Sequence, residues 1–137
     1  MWWMYALLSA VFAALTAIFA KVGIKGVNTD LATAIRTVVI LIIAWGIVFF
    51  RGGTAGIHNL SKQNLLFLGL SGIATGLSWI FYFKALQLGK VSQVAPVDKL
   101  SVAIAIVLSV LFLGEVLTLK TAIGAGLIIT GTFVLIL

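Results

Sequence analysis

Three ionisable side chains lie well inside the apolar stretches of this sequence: Arg36, Asp98 and Lys99. Arg36 follows Leu31 by five residues, roughly 7–9 Å along a helix. Asp98 and Lys99 follow the single proline, in Ala95-Pro96-Val97-Asp98-Lys99-Leu100-Ser101. On insertion scales an Arg, Lys or Asp near a bilayer centre costs ~2.5–3.5 kcal/mol. Three in so short a chain need partners, water or a ligand. The chemistry they could do is recognition of a solute or coupling ion inside a membrane. The competing reading is a structural ion pair that orients helices. Adjacent residues point ~100° apart on a helix, so Asp98 and Lys99 are not expected to pair with each other. Arg36 or Lys21 is the expected partner of Asp98, with Lys99 snorkelling or facing a partner subunit.

Small and polar residues recur near these charges at helical spacing. Ser71, Thr75, Ser78 and Tyr82 step by four, three and four; Asp98, Ser101, Ala105 and Ser109 by three, four and four. Each set marks one helix face. Asp30, Thr33 and Thr37 form a shorter set beside Arg36, and Ser9, Ala13, Thr16 and Ala20 another. Such stripes either let membrane helices pack closely, at ~0.6 kcal/mol per interhelical hydrogen bond, or line a hydrated cavity. With the ions added, the expected substrate or ion site is Arg36, Asp98, Lys99, Ser71, Thr75, Ser78, Tyr82 and Ser101. Gly72 with Gly76, and Ala122 with Gly126, are small-residue pairs read as packing, the latter as a dimer contact. No GxSxG, HExxH, Walker loop or carboxylate pair is present, so no enzymatic chemistry and no cofactor are expected. His58 reads as a solvated loop residue, and no metal is expected without cysteines.

The elements that must position these residues are long and apolar. Hydrophobic residues make up 63% of the chain and charged ones 9%, against ~25% charged in soluble domains. Five stretches, 1–20, 31–50, 65–83, 94–113 and 121–137, each approach the ~20 residues that span a ~30 Å core. A soluble chain of this length cannot bury five such helices. The prediction is an all-α polytopic membrane protein, one domain over 1–137. The first stretch lacks the basic flank of a signal peptide, and Trp2, Trp3 and Tyr5 suit an interfacial belt. Helix-capping residues stand at Asn28–Asp30, Ser61 and Thr118, and Ser92 or Gln93 is expected to open the fourth helix. The formal charge of +6 is scattered over loops rather than gathered in a stripe, which argues against nucleic acid.

Five crossings put the termini on opposite sides. One side then carries Arg51, Lys62 and Lys120; the other carries Lys21, Lys25, Lys84 and Lys90. Three against four gives almost no positive-inside bias. Either one orientation is weakly preferred, or the chain inserts both ways and pairs antiparallel.

Several segments, in order, resemble the EamA-like domain of the drug/metabolite transporter superfamily. They are Lys21, Leu31-Ala32-Thr33-Ala34-Ile35-Arg36, Phe81-Tyr82-Phe83-Lys84-Ala85-Leu86-Gln87-Leu88-Gly89, Val94-Ala95-Pro96, Phe112-Leu113-Gly114-Glu115 and Ile123–Gly131. The resemblance implies one five-helix repeat of a usual ten-helix fold. It implies a half-size secondary transporter or exporter of a small metabolite in the cell (inner) membrane. It further implies an antiparallel homodimer working by alternating access, or a heterodimer with a similar half-chain. Helices one to four would line the path. A scaffold subunit and a lipid-carrier flippase subunit are the alternatives. The first helix has no embedded glutamate, so the proton-coupled antiport of small multidrug resistance proteins does not carry over.

Overall fold

The computed structural model describes all residues, 1–137. The chain is helical, with no strand: α1 (Trp2–Gly23), α2 (Thr29–Phe50), a 3₁₀ segment (Gly53–Asn59), α3 (Lys62–Leu88), α4 (Val91–Asp98), α5 (Leu100–Phe112) and α6 (Leu119–Ile136). α1, α2, α3, the α4–α5 pair and α6 are five apolar spans of 18–27 residues, long enough to cross a ~30 Å core. The five-span expectation therefore holds, and the chain is a multi-pass membrane protein.

Caps set most boundaries. The Asn28 side-chain oxygen accepts the N–H groups of Asp30 (2.8 Å) and Leu31 (3.2 Å). Ser61 Oγ accepts from Asn64 N–H at 3.1 Å, and Thr118 Oγ1 from Thr121 N–H at 3.2 Å. Each satisfies an N–H group that has no partner within the helix. Asp30 adds a negative charge to the first turn of α2, where the helix dipole favours it. The fourth span departs from expectation at its start. It opens at Val91, with the extended Lys90 as cap and no side-chain cap bond. Gly52 and Gly114, just past the ends of α2 and α5, turn the chain with φ 69°, a conformation costly for a residue with a Cβ.

The fourth span is also broken. α4 ends at Asp98, and Lys99 lies between it and α5. Around the break the bonds tighten to three-residue steps: Lys99 N–H to Pro96 O and Val102 N–H to Lys99 O, both 3.0 Å. Pro96 sits inside α4 and has no N–H for the carbonyl four residues earlier. The sequence placed that proline in the first turns, where a missing donor costs least. The interruption three residues on was not foreseen.

The chain divides into two compact units, Met1–Phe19 with Leu88–Leu137, and Ala20–Gln87. In the first, α6 packs on α4 and α5, burying Ala103 and Thr132. The Thr132 hydroxyl is shared between Ile128 O (2.8 Å) in its own helix and Pro96 O (3.2 Å) in α4. In the second unit the packing gathers where α1 ends, α2 begins and α3 ends. Ala20, Ile24, Thr29, Thr33, Phe83 and Leu86 are buried there, Leu86 completely. A polar clasp closes the same place. Lys21 Nζ donates to the Leu86 carbonyl. Gln87 Nε2 donates to Val27 O at 3.0 Å and more weakly to Ile24 O at 3.4 Å. Carbonyls at helix ends have no partner in their own helix, and these side chains supply one.

Elsewhere the helices present large apolar side chains outward, among them Phe12, Ile42, Leu68, Leu111 and Leu127. This is the surface expected when lipid is the solvent. Hydroxyls on the spans are satisfied locally. Thr33, Thr37, Thr75 and Thr130 each donate to the carbonyl four residues back at 2.8–2.9 Å. A Cβ built on Gly72, Gly76 or Gly126 meets no atom within 4 Å, so these small-residue pairs do not pack a helix within their own unit.

Candidate functional site

Arg36 is the most constrained charge of the Ala20–Gln87 unit. It stands seven residues after Thr29, about 10 Å along α2 at 1.5 Å per residue. Cζ lies 4.2 Å from the Phe83 ring centroid and 5.4 Å from that of Trp79. Phe83 and Trp79 are one turn apart on α3, and Phe83 is 1% exposed. A cation on an aromatic face gains ~0.5–2 kcal/mol, the more so when desolvated. That offsets part of the cost of carrying Arg36 inside the span. It does not satisfy the donors, because aromatic faces accept charge rather than N–H bonds in the guanidinium plane. Arg36 Nη1 is closed to solvent and has no hydrogen-bond partner.

Nor does a carboxylate neutralise it nearby. Asp30 is the only acidic residue between Ala20 and Gln87. It lies six residues before Arg36 on the same helix, ~9 Å lower and ~240° around. Tyr82, beside Phe83 on α3, is within electrostatic reach of the guanidinium.

Asp98 and Lys99 belong to the other unit and overturn one expectation. Lys99 Nζ donates to Asp98 Oδ2 at 3.1 Å. The neighbours pair after all: where the bonds tighten at Lys99, its long side chain folds back on the preceding carboxylate. The pair is partly open, with 58% of the Lys99 side chain and 34% of that of Asp98 exposed. Open pairs contribute ~0.2–1 kcal/mol. Asp98→Asn is therefore expected to lower detergent-phase stability by no more than about 1 kcal/mol. Lys99→Gln in the same chain should recover most of the loss. A large loss that Lys99→Gln leaves untouched would show another partner for Asp98.

The hydroxyl stripe on α3 is not the face that meets Arg36. Ser71, Thr75 and Ser78 are exposed and lie roughly 80–140° around the helix from Phe83. Ser101 is exposed on the first turn of α5, and Tyr82 is half-buried. The face that packs carries Trp79, Phe83 and Leu86, at steps of four and three. That spacing is in the sequence, but an apolar face on an apolar helix has no contrast to reveal it. Trp79 and Phe83 were missed as partners of Arg36 for this reason, and Gln87 as part of a clasp.

The model of the EamA-like transporter family matches residues 1–137. The chain belongs to this family. A relative from Sinorhizobium sp, "Uncharacterized transporter in cobO 3'region", is 50% identical over 134 residues, which cover 98% of this chain and 95% of that protein. "Uncharacterized protein MJ1333.1" of Methanocaldococcus jannaschii is 36% identical over 74 residues, 54% of each chain. No solved structure matches the sequence. Residues that carry the EamA resemblance meet in the Ala20–Gln87 unit. Lys21 and Gln87 form the clasp, and Arg36 lies on Phe83.

Proposed function

We propose that this EamA-like chain is a subunit of a secondary transporter for a small metabolite. Two copies, inserted in opposite orientations in the cell (inner) membrane, form the working unit and expose a shared path to each side in turn. Family membership supports transport. The length of the Sinorhizobium relative, 95% of it matched, supports a single five-span chain as a transporter subunit. The observation that carries the opposed pairing is the odd number of spans combined with the near balance of Arg51, Lys62 and Lys120 against Lys21, Lys25, Lys84 and Lys90. An odd count gives each copy a different terminus on each side, and balanced charge leaves the positive-inside rule little to act on. Two oppositely inserted copies then reproduce the inverted repeat on which many transporters are built. In this arrangement Ser71, Thr75 and Ser78, exposed on α3, face the path or the second copy.

The absence of cysteine makes the test clean. Ser61→Cys and Gly89→Cys each place one thiol in a loop, on opposite sides of any given copy. In sealed vesicles an impermeant maleimide should label about half of each variant from outside. Near-complete labelling of one and none of the other would show a single orientation and remove the antiparallel pair.

A further inference from the structure

We propose that the Arg36 guanidinium, held on Phe83 and Trp79, is the binding site for the oxyanion group, carboxylate or phosphate, of the transported solute. The inference rests on the transport reading only for what carries the anion into the membrane. The geometry supports the site itself.

Arginine carries five N–H donors in a planar fork and no acceptor. Phe83 at 4.2 Å and Trp79 at 5.4 Å take up its face. The two aromatic partners confine the group but offer no hydrogen-bond acceptor to its N–H edges. Nη1 has none, and the Ala20–Gln87 unit offers no carboxylate but Asp30, which lies well around α2. A fixed, unneutralised fork with unused in-plane donors suits the two oxygens of a carboxylate or phosphate. Lys21 is the nearby cation least able to share the task, being engaged with the Leu86 carbonyl. Nη1 itself is closed off, while the residue as a whole is half-buried. The anion therefore meets the open edge first and draws Nη1 into the second bond by a small side-chain rotation.

A phospholipid headgroup offers the same oxygens, but it lies at the membrane surface. The guanidinium sits beside Phe83 and Trp79, which are five and nine residues in from the end of α3, or about 8 and 14 Å. The depth favours a solute that enters over a lipid that stays at the interface.

Only two arginines occur in the chain, Arg36 and Arg51. Arg51→Lys, in an exposed loop, leaves Arg36 as the sole target of phenylglyoxal. Modification is read by mass spectrometry on purified protein in neutral detergent, with inorganic phosphate, malonate, or chloride at matched ionic strength. Phosphate or malonate should slow modification of Arg36 at least threefold, and chloride should not. In phosphatidylcholine and phosphatidylglycerol nanodiscs the same protection by soluble anion should persist. Equal rates with all three salts, or protection by phosphatidylglycerol that soluble anions do not add to, would overturn the proposal. Trp79 fluorescence gives a second readout in a chain whose other three tryptophans, Trp2, Trp3 and Trp45, are replaced by Phe. Arg36→Lys keeps the charge but loses the fork, and should weaken the malonate response about tenfold. An undiminished response overturns the assignment. Protection is an equilibrium measurement without transport. Protection with no uptake in proteoliposomes would remove the transport reading and leave the site. Uptake with no protection would do the reverse.

Discussion

Phe83→Ala is expected to lower the melting temperature of the detergent-solubilised protein more than any other single truncation in α3. Burial of a phenyl ring in a water-soluble core is worth about 3–5 kcal/mol on truncation. Part of that is transfer from water, which falls away where lipid tails are as apolar as the core. What remains is the cavity and the lost support of Arg36, worth ~0.5–2 kcal/mol. Together they give an expected loss of roughly 2–4 kcal/mol. Phe83 is 1% exposed and lies against the guanidinium, so its truncation leaves a cavity. Phe83→Leu separates the two contributions. It refills most of the volume but offers no ring face, and should recover more than half of the loss. A melting temperature unchanged in Phe83→Ala would show that α1, α2 and α3 do not pack at this end.

Fixing the orientation of every copy is expected to abolish transport while leaving each chain folded. His58→Lys, Asn59→Lys and Gln63→Lys together raise the 51–64 side from three basic residues to six, against four opposite. Juxtamembrane Lys and Arg in short loops set orientation, so the variant should insert one way. Uptake should then fall at least tenfold, because no oppositely inserted copy is made. A second variant, Arg51→Gln with Lys62→Gln, shifts the bias the other way and should be inactive alone. Co-expression of the two should restore uptake. Full uptake from either uniformly oriented population would show that the working unit is not an opposed pair.

The membrane fold was legible because it depends on run length. Spans of about 20 apolar residues announce themselves, and Asn28, Ser61 and Thr118 mark their starts with side chains that bond where expected. Packing was less legible. In soluble proteins a buried face stands out against a polar one, but here both faces of α3 are apolar. The conspicuous hydroxyls drew attention to Ser71, Thr75 and Ser78, while the face that meets Arg36 carries Trp79 and Phe83. Thr75 also shows why hydroxyls mislead: it bonds to Ser71 O in its own helix and needs no partner helix. The Asp98–Lys99 pair was misread because helical geometry was assumed to run through it. A long side chain that folds back reaches the neighbouring carboxylate even where the two residues point apart.

The clasp between the ends of α1 and α3 has a consequence for synthesis. Lys21 is tied to a carbonyl 65 residues downstream, and Gln87 reaches back 60 and 63 residues. A ribosome adding about 5–20 residues per second needs several seconds to pass from one end of the clasp to the other. Throughout that interval α1 and α2 occupy the membrane as an unsecured hairpin. The contacts that tie the end of α1 to α3 form only when α3 arrives and delivers Leu86 and Gln87, so the third span, rather than the second, completes the first long-range closure of the nascent chain.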